Sequence, residues 1–189
     1  MARHYLLDSD DMLDHGITSG PTLPDGAILA GTPVDPRTLP ALDYKVDLPA
    51  NAPWPHFLTG GTVLASTRFV EVLEAADARN FERFPARLRN PETGQSRDDY
   101  VLLNVLGLYA ATDPARSRGD TLVPGDVGIP ALQAMTEVVL DAGRTPDLHM
   151  FRLAEDPSLL VIDAHLRAAL HAHAPEGGWG IMLEALDER

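Results

Sequence analysis

Apolar and polar positions change their period several times along the chain, and the clearest succession lies in the stretch LHMFRLAEDPSLLVIDAHLRAALHAHAPEGGWGIMLEAL, from Leu148 to Leu186. Phe151 and Leu153 alternate with Arg152 and Ala154, Asp156-Pro157-Ser158 supplies turn chemistry, and Leu159 to Ile162 form a short buried-strand run. Asp163 then stands where a helix N-cap belongs, with Leu166, Ala169 and Leu170 on one helical face. Pro175 and Gly177-Gly178 stop that helix, and Trp179, Ile181 and Leu183 alternate with Gly180, Met182 and Glu184. The order reads strand, strand, helix, strand.

Upstream, residues 3–7 read as a first strand. Ser66 or Thr67 caps a helix running to Asp77, in which Phe69, Val70, Leu73 and Ala76 make one apolar stripe. Phe84, Ala86 and Leu88 alternate with Arg83, Pro85, Arg87 and Arg89, the two-residue period of a strand with a wet arginine face. Proline cannot donate to a ladder, so this strand is expected at a sheet edge. The turn Asn90 to Gly94 joins it to the run Tyr100 to Tyr109 as an antiparallel hairpin. Pro130 is expected to begin a short helix carrying Leu132 and Met135, followed by a strand from Glu137 to Asp141. No internal repeat stands out.

Between Gly20 and Pro55 the chain carries prolines at 21, 24, 33, 36, 40, 49, 53 and 55. That density argues against long helices and central strands. The segment still holds Leu23, Ile28, Leu29, Val34, Leu39, Leu42, Val46 and Leu48, too apolar for a free linker, so it is expected to pack as an irregular shell. The fold class that follows is α+β. A mainly antiparallel sheet is built from the runs near 83, 100, 137, 149, 159 and 179, with two or three helices packed on it. Residues 1–189 are expected to form a single domain, with 1–66 an irregular Pro-rich part packed on a core spanning 67–186.

Length and charge narrow the function classes. A chain of 189 residues buries roughly two thirds of its unfolded surface and needs no staple. It contains no cysteine, which excludes thiol catalysis, disulfides and thiolate metal sites and fits a cytoplasmic location. No stretch has the length of a membrane span and no secretory leader is visible. With 28 acidic against 15 basic residues the net charge is −13, which repels nucleic acid and anionic membranes and favours a basic partner. The acidic loop Asp8, Asp10, Asp11 and Asp14 and the arginine row Arg83, Arg87 and Arg89 are the candidate partner-binding residues. The acidic loop lacks the glycine and terminal glutamate of a calcium-binding loop.

No catalytic motif is complete. His165, His171 and His173 do not share one helical face as zinc ligands must, the serines lack a nucleophile elbow, and Gly60-Gly61 and Gly177-Gly178 lack a phosphate-loop lysine. No cofactor or metal is expected. Two other readings remain: a hydrolase whose site is assembled from distant residues such as His149, Asp163 and His165, and an interaction module whose Arg83–Arg89 strand accepts a partner strand.

The succession FERFPARL, YVLLNVLGLYAATD, EVVLD, MFRLAED, LLVIDAHLRAAL and GGWGIML resembles an immunity-protein family typified by a myxobacterial member and once catalogued as a domain of unknown function. The resemblance covers Thr67 to Leu186 and rests on the order of short apolar elements. It implies a non-enzymatic antitoxin of a polymorphic toxin system, in several cases one serving a type VI secretion effector. Such a protein binds its cognate toxin stoichiometrically; a basic nuclease is the first guess for that toxin.

Overall fold

The computed structural model of the chain describes residues 3–10, 15–24, 27–121 and 132–188. In chain order the strands are β1 (His4–Ser9), β2 (Gly16–Ser19), β3 (Asp43–Asp47), β4 (Phe57–Thr59) and β5 (Val63–Ser66), followed by helix α1 (Thr67–Ala75). Next come β6 (Phe81–Arg89), β7 (Ser96–Val105), β8 (Leu108–Tyr109), β9 (Arg118–Thr121), β10 (Leu132–Glu137), β11 (Val139–Leu140), β12 (Met150–Leu153) and β13 (Leu160–Asp163). Helix α2 (Ala164–Ala172) and strands β14 (Ile181–Ala185) and β15 (Asp187–Glu188) follow.

The fold is dominated by sheet. A six-stranded sheet runs β2-β3-β6-β7-β5-β4, a five-stranded sheet runs β14-β1-β13-β12-β8, and β10-β9 and β11-β15 form two small pairs. Pairing is antiparallel except for β3 with β6, β12 with β8, and β11 with β15. The chain leaves the larger sheet at Gly107, whose φ of 88° is one that side chains rarely adopt. A Cβ there would stand 2.7 Å from the Tyr109 ring, so glycine is required on both counts.

Three apolar layers hold the sheets. The central one packs Val63, Ala65, Val101 and Leu103 of the larger sheet against Tyr5, Leu7, Leu160 and Ile162 of the smaller, with α1 and α2 supplying Phe69, Leu73, Leu166 and Leu170. The other face of the larger sheet, with Leu64, Leu88 and Leu102, is covered by Ile28 and Leu42 and by the half-buried Leu23, Val34 and Leu39. The other face of the smaller sheet, with Phe151, Leu153 and Val161, is covered by Ala111, Val138, Leu140 and Leu186. Covering both faces of each sheet explains why Met150 to Leu153 are buried at four consecutive positions.

The same unit occurs twice. In the first, β3 lies parallel to β6, the β4-β5 hairpin leads directly into α1, and β7 sits between β5 and β6. In the second, β11 lies parallel to β15, the β12-β13 hairpin leads directly into α2, and β1 sits between β13 and β14. Val63–Ser66 and Thr67–Ala75 thus match Leu160–Asp163 and Ala164–Ala172 length for length. The strand that finishes the second unit comes from the opposite end of the sequence. A repeat is therefore present in space that does not stand out along the chain.

Several expectations hold and several are corrected. The helix capped by Ser66, the helix capped by Asp163, the hairpin around Asn90–Gly94 and the closing strand–strand–helix–strand order are all present. The Arg83–Arg89 strand is at an edge only in its first half: β6 lies between β3 and β7, but β3 covers Arg87–Arg89 alone. Pro85 is tolerated there because β3 pairs only with Arg87–Arg89, beyond the proline. The Pro-rich segment does contain an interior strand, β3, placed between Pro40 and Pro49 where alternating Tyr44 and Val46 are buried. Leu132 and Met135 lie on strand β10, paired with β9, and not on a helix; Pro130 is outside the described residues. The expected strand over Glu137–Asp141 is divided between the end of β10 and β11. The runs expected to share one sheet belong to several, and two α-helices occur among the described residues.

Candidate functional site

The arginine row is built by the two-residue period of β6, which turns Arg83, Arg87 and Arg89 outward while Phe84, Ala86 and Leu88 are buried. Each guanidinium meets a carboxylate of the same chain. Arg83 Nη1 lies 3.2 Å from Glu74 on α1, Arg89 Nη2 lies 3.2 Å from Asp43 on β3, and Arg87 donates to Asp98 on β7. The bond to Asp98 raises the Arg87 guanidinium above its ordinary range. Neighbouring Arg97 is likewise held by Asp99 at 2.6 Å, and that bond lowers the Asp99 carboxyl. The row is thus charge-compensated within the fold.

The acidic loop is differently placed. Asp8 lies near the end of β1 beside β14, where it pairs in register with Met182; its carboxylate accepts from the Ser9 N–H at 2.7 Å and from the Thr59 hydroxyl. Asp10 donates its backbone N–H to Gly180 O at 3.0 Å. Asp11 and Asp14 lie outside the described residues. Asp8 and Asp10 therefore flank the outer strand of the smaller sheet, whereas the arginine row lies on the larger one.

The distant trio proposed for hydrolysis does converge. His149 Nδ1 lies 2.8 Å from Asp163 Oδ2, and the His149 and His165 rings are 4.7 Å apart with an interplanar angle of 36°. Asp163 and His165 border an open groove of about 370 Å³ that also contains Arg3, His4, Asp147 and Glu188. Asp163, however, is fully engaged, because its Oδ1 accepts from the Leu166 N–H at 2.8 Å to cap α2. Among the described residues the one hydroxyl bordering the groove, that of Thr145, donates to Asp141 O at 2.9 Å. Among the described residues no three His, Asp or Glu side chains are arranged to hold a metal ion. His171 and His173 are exposed on or after α2.

The first unit contains the counterpart of this junction. His56 Nδ1 lies 2.8 Å from Ser66 Oγ, and Ser66 Oγ caps α1 by accepting from Phe69 N–H at 3.2 Å. Here Trp179 closes over the histidine edge-to-face at 5.2 Å. Burial, with the Arg68 and Arg97 charges behind it, lowers the His56 imidazole. In both units the histidine backbone also pairs with the cap residue, Ser66 N–H to His56 O and Asp163 N–H to His149 O. Repetition of the arrangement marks it as a helix-start device shared by both units.

Two features escaped the sequence reading. Arg152 occupies a position whose alternation suggested a wet face, yet it is 1% exposed, donates from Nη1 to Pro157 O at 2.6 Å, and has no partner for Nε or Nη2. Burial pushes its guanidinium down to about 10. The other is Met182, one of two large apolar side chains that are exposed among the described residues, at 43%. No signal in a single sequence distinguishes a buried arginine or an open strand from its covered equivalent.

No helix among the described residues is long and apolar enough to cross a membrane. No curated protein matches the chain. The model of the immunity protein family Imm11 matches residues 11–185, nearly the whole chain. Membership carries an immunity role against a toxin, bound as a cognate partner, and on that match the chain belongs to the Imm11 immunity protein family.

Proposed function

We propose that this protein is a cytoplasmic, single-domain antitoxin that neutralises one basic toxin of a polymorphic toxin system by stoichiometric binding, without turnover. The observation that carries this reading is the family match across residues 11–185. The charge distribution supports it. On a chain of net charge −13, Arg83, Arg87 and Arg89 are compensated internally, so the excess field is acidic and speeds encounter with a basic surface. In this reading Asp8 and Asp10 meet such a partner, while the ion pairs of Arg83, Arg87 and Arg89 favour a role for the arginine row within the fold. A nuclease is the toxin class that fits the charge, and delivery by a type VI secretion system is the setting that fits the family.

Hydrolysis at His149, Asp163 and His165 is the weaker reading, since the carboxylate that would orient the base is already the cap of α2. Co-expression with the protein encoded beside this gene tests the proposal. Rescue of growth and co-purification as an equimolar complex are expected. Persistent toxicity with no complex overturns it.

A further inference from the structure

The two units provide an internal comparison of their outer strands. Tyr100 pairs with the cap residue Ser66 and with Ala86; His4 pairs with the cap residue Asp163 and accepts from the Leu186 N–H at 3.0 Å. Ala86 therefore corresponds to Leu186, and Pro85 to Ala185. The parallel covers agree, because β3 begins its pairing at Arg87 and β11 at Asp187. In each unit the stretch before that point has no strand on its outer side among the described residues.

The outer side is defined by backbone direction. Leu186 N–H donates to His4 O of β1 and Gly180 O accepts from Asp10 N–H just past its end, so alternation turns the N–H and C=O groups of Ile181, Leu183 and Ala185 away from β1. In the first unit the Arg87 N–H points outward to Leu42 O at 2.8 Å, and the same alternation points the Pro85 nitrogen outward. Proline there, with Arg83 beside it, blocks strand addition, as proteins commonly arrange at exposed ladders. The second unit has alanine at that position and keeps all three outward N–H groups. It also exposes Met182, while Ile181 and Leu183 are only half-buried against the central layer.

We infer that β14, Ile181–Ala185, is the docking edge of this protein and that its occupant is an extended strand of the toxin. This rests on the antitoxin reading above. The occupant's chemistry follows from the two faces of β14. Side chains beside Ile181 and Leu183 are apolar, and those on the alternate face are basic, because they meet Glu184 and, one strand further in, Asp8 opposite Met182. Asp8 and Asp10 become the acidic rim of this edge.

The test is Ala185→Pro, which gives the second unit the proline that the first already has and leaves the bonds to β1 in place. Binding is measured against the purified protein encoded beside this gene, with circular dichroism as the check on folding. The variant is expected to fold and to bind about a hundredfold more weakly. In the wild-type complex the Leu183 and Ala185 amides are expected to exchange hydrogen more slowly than in the free protein; this measurement decides the matter if the variant does not fold. Unchanged affinity of a folded variant, or unchanged exchange at both amides, overturns the edge while leaving the antitoxin reading intact. Failure of the wild type to bind overturns the antitoxin reading and this occupant with it. Slowing of the same amides in the free protein as its concentration rises assigns the edge to a second copy and overturns the toxin strand.

Discussion

Asp163 holds His149 at 2.8 Å with one carboxylate oxygen and caps helix α2 with the other, so one side chain joins the start of the second hairpin to the helix that follows it. Ser66 does the same for His56 and α1 with a single hydroxyl. Both units solve the same problem, since the first N–H groups of a helix entered directly from a strand need an acceptor that the strand itself does not provide. Asp163→Ala removes the cap and leaves His149 without its acceptor, so it is expected to destabilise the protein by about 1–2 kcal/mol in urea unfolding. Asp163→Ser, which copies the first unit, is expected to recover most of that loss. Equal destabilisation by the two substitutions argues against the shared role.

Trp179 is where the second unit reaches into the first. Its ring meets Phe69 edge-to-face at 5.3 Å and His56 at 5.2 Å, and its Nε1 donates to Leu170 O at 2.7 Å. Trp179→Ala empties a site between the two helices and is expected to cost about 3–5 kcal/mol. Trp179→Phe keeps most of the packing and loses one buried hydrogen bond, about 1 kcal/mol. Denaturant titration of the parent and both variants, followed by circular dichroism, checks both values.

How much was legible follows from what each pattern encodes. Both helices could be read because cap, apolar stripe and stop agree within a dozen residues, as in Ser66 with Phe69, Val70 and Leu73. The β6-β7 hairpin could be read because alternation and an Asn90–Gly94 turn coincide. Leu132 and Met135 were misassigned because a three-residue spacing also fits a short strand with a register shift, which β10 contains. The repeat was hidden because packing fixes only polarity at each site: across β5-α1 and β13-α2 only Leu73 with Leu170 and Ala75 with Ala172 are identical. The order of units, with β1 borrowed from the far end, hid it further. For the site, acidity pointed to Asp8 and Asp10, but nothing local revealed that Arg83, Arg87 and Arg89 would each meet a carboxylate from another element.

The arginine row yields a discriminating prediction. Exposed ion pairs contribute little, so Arg83→Ala, Arg87→Ala and Arg89→Ala are each expected to leave stability nearly unchanged and toxin affinity within about threefold. Asp8→Lys with Glu184→Lys, which reverses the rim of β14, is expected to slow association and to lessen its dependence on salt. Stopped-flow association at two ionic strengths separates the sets. A large loss of affinity in the arginine variants would return the interface to β6.

Arg152 and Tyr100 make opposite contributions at alkaline pH. A guanidinium pushed down to about 10 by burial loses its proton in the folded state before the unfolded chain does. The unfolded state then binds more protons, so stability rises as pH climbs past about 10. Below that pH the burden of the buried charge is fully present, on the order of 3 kcal/mol. Burial raises the Tyr100 phenol above its ordinary value of 10.0, so the unfolded chain loses that proton first and stability falls as pH climbs past 10.0. Arg152→Met is expected to stabilise the protein at neutral pH by about 1–3 kcal/mol and to steepen the alkaline decline, while Tyr100→Phe flattens it. Urea midpoints between pH 7 and 11 check the signs.

The duplicated plan makes its strongest demand on β1. His4 Nδ1 lies 3.3 Å from Glu188 Oε2, and β1 pairs with β13 and β14, so this strand belongs to the second unit although it is encoded at the other end of the chain. A circular permutant opened between Asp10 and Asp11, with Arg189 joined to Met1 by a short Gly-Ser linker, places β1 directly after β15 and makes each unit continuous. Because His4 and Glu188 are in contact, closing a short loop between the segments beyond them adds little entropy, and surface breaks between packed units are commonly tolerated. The permutant is expected to fold with a urea midpoint close to that of the parent and to protect growth against the same toxin. Failure to fold would mean that β1 must be laid down first, as the template on which β13 and β14 later pair, so that the order of synthesis, and not the final pairing alone, shapes the second unit.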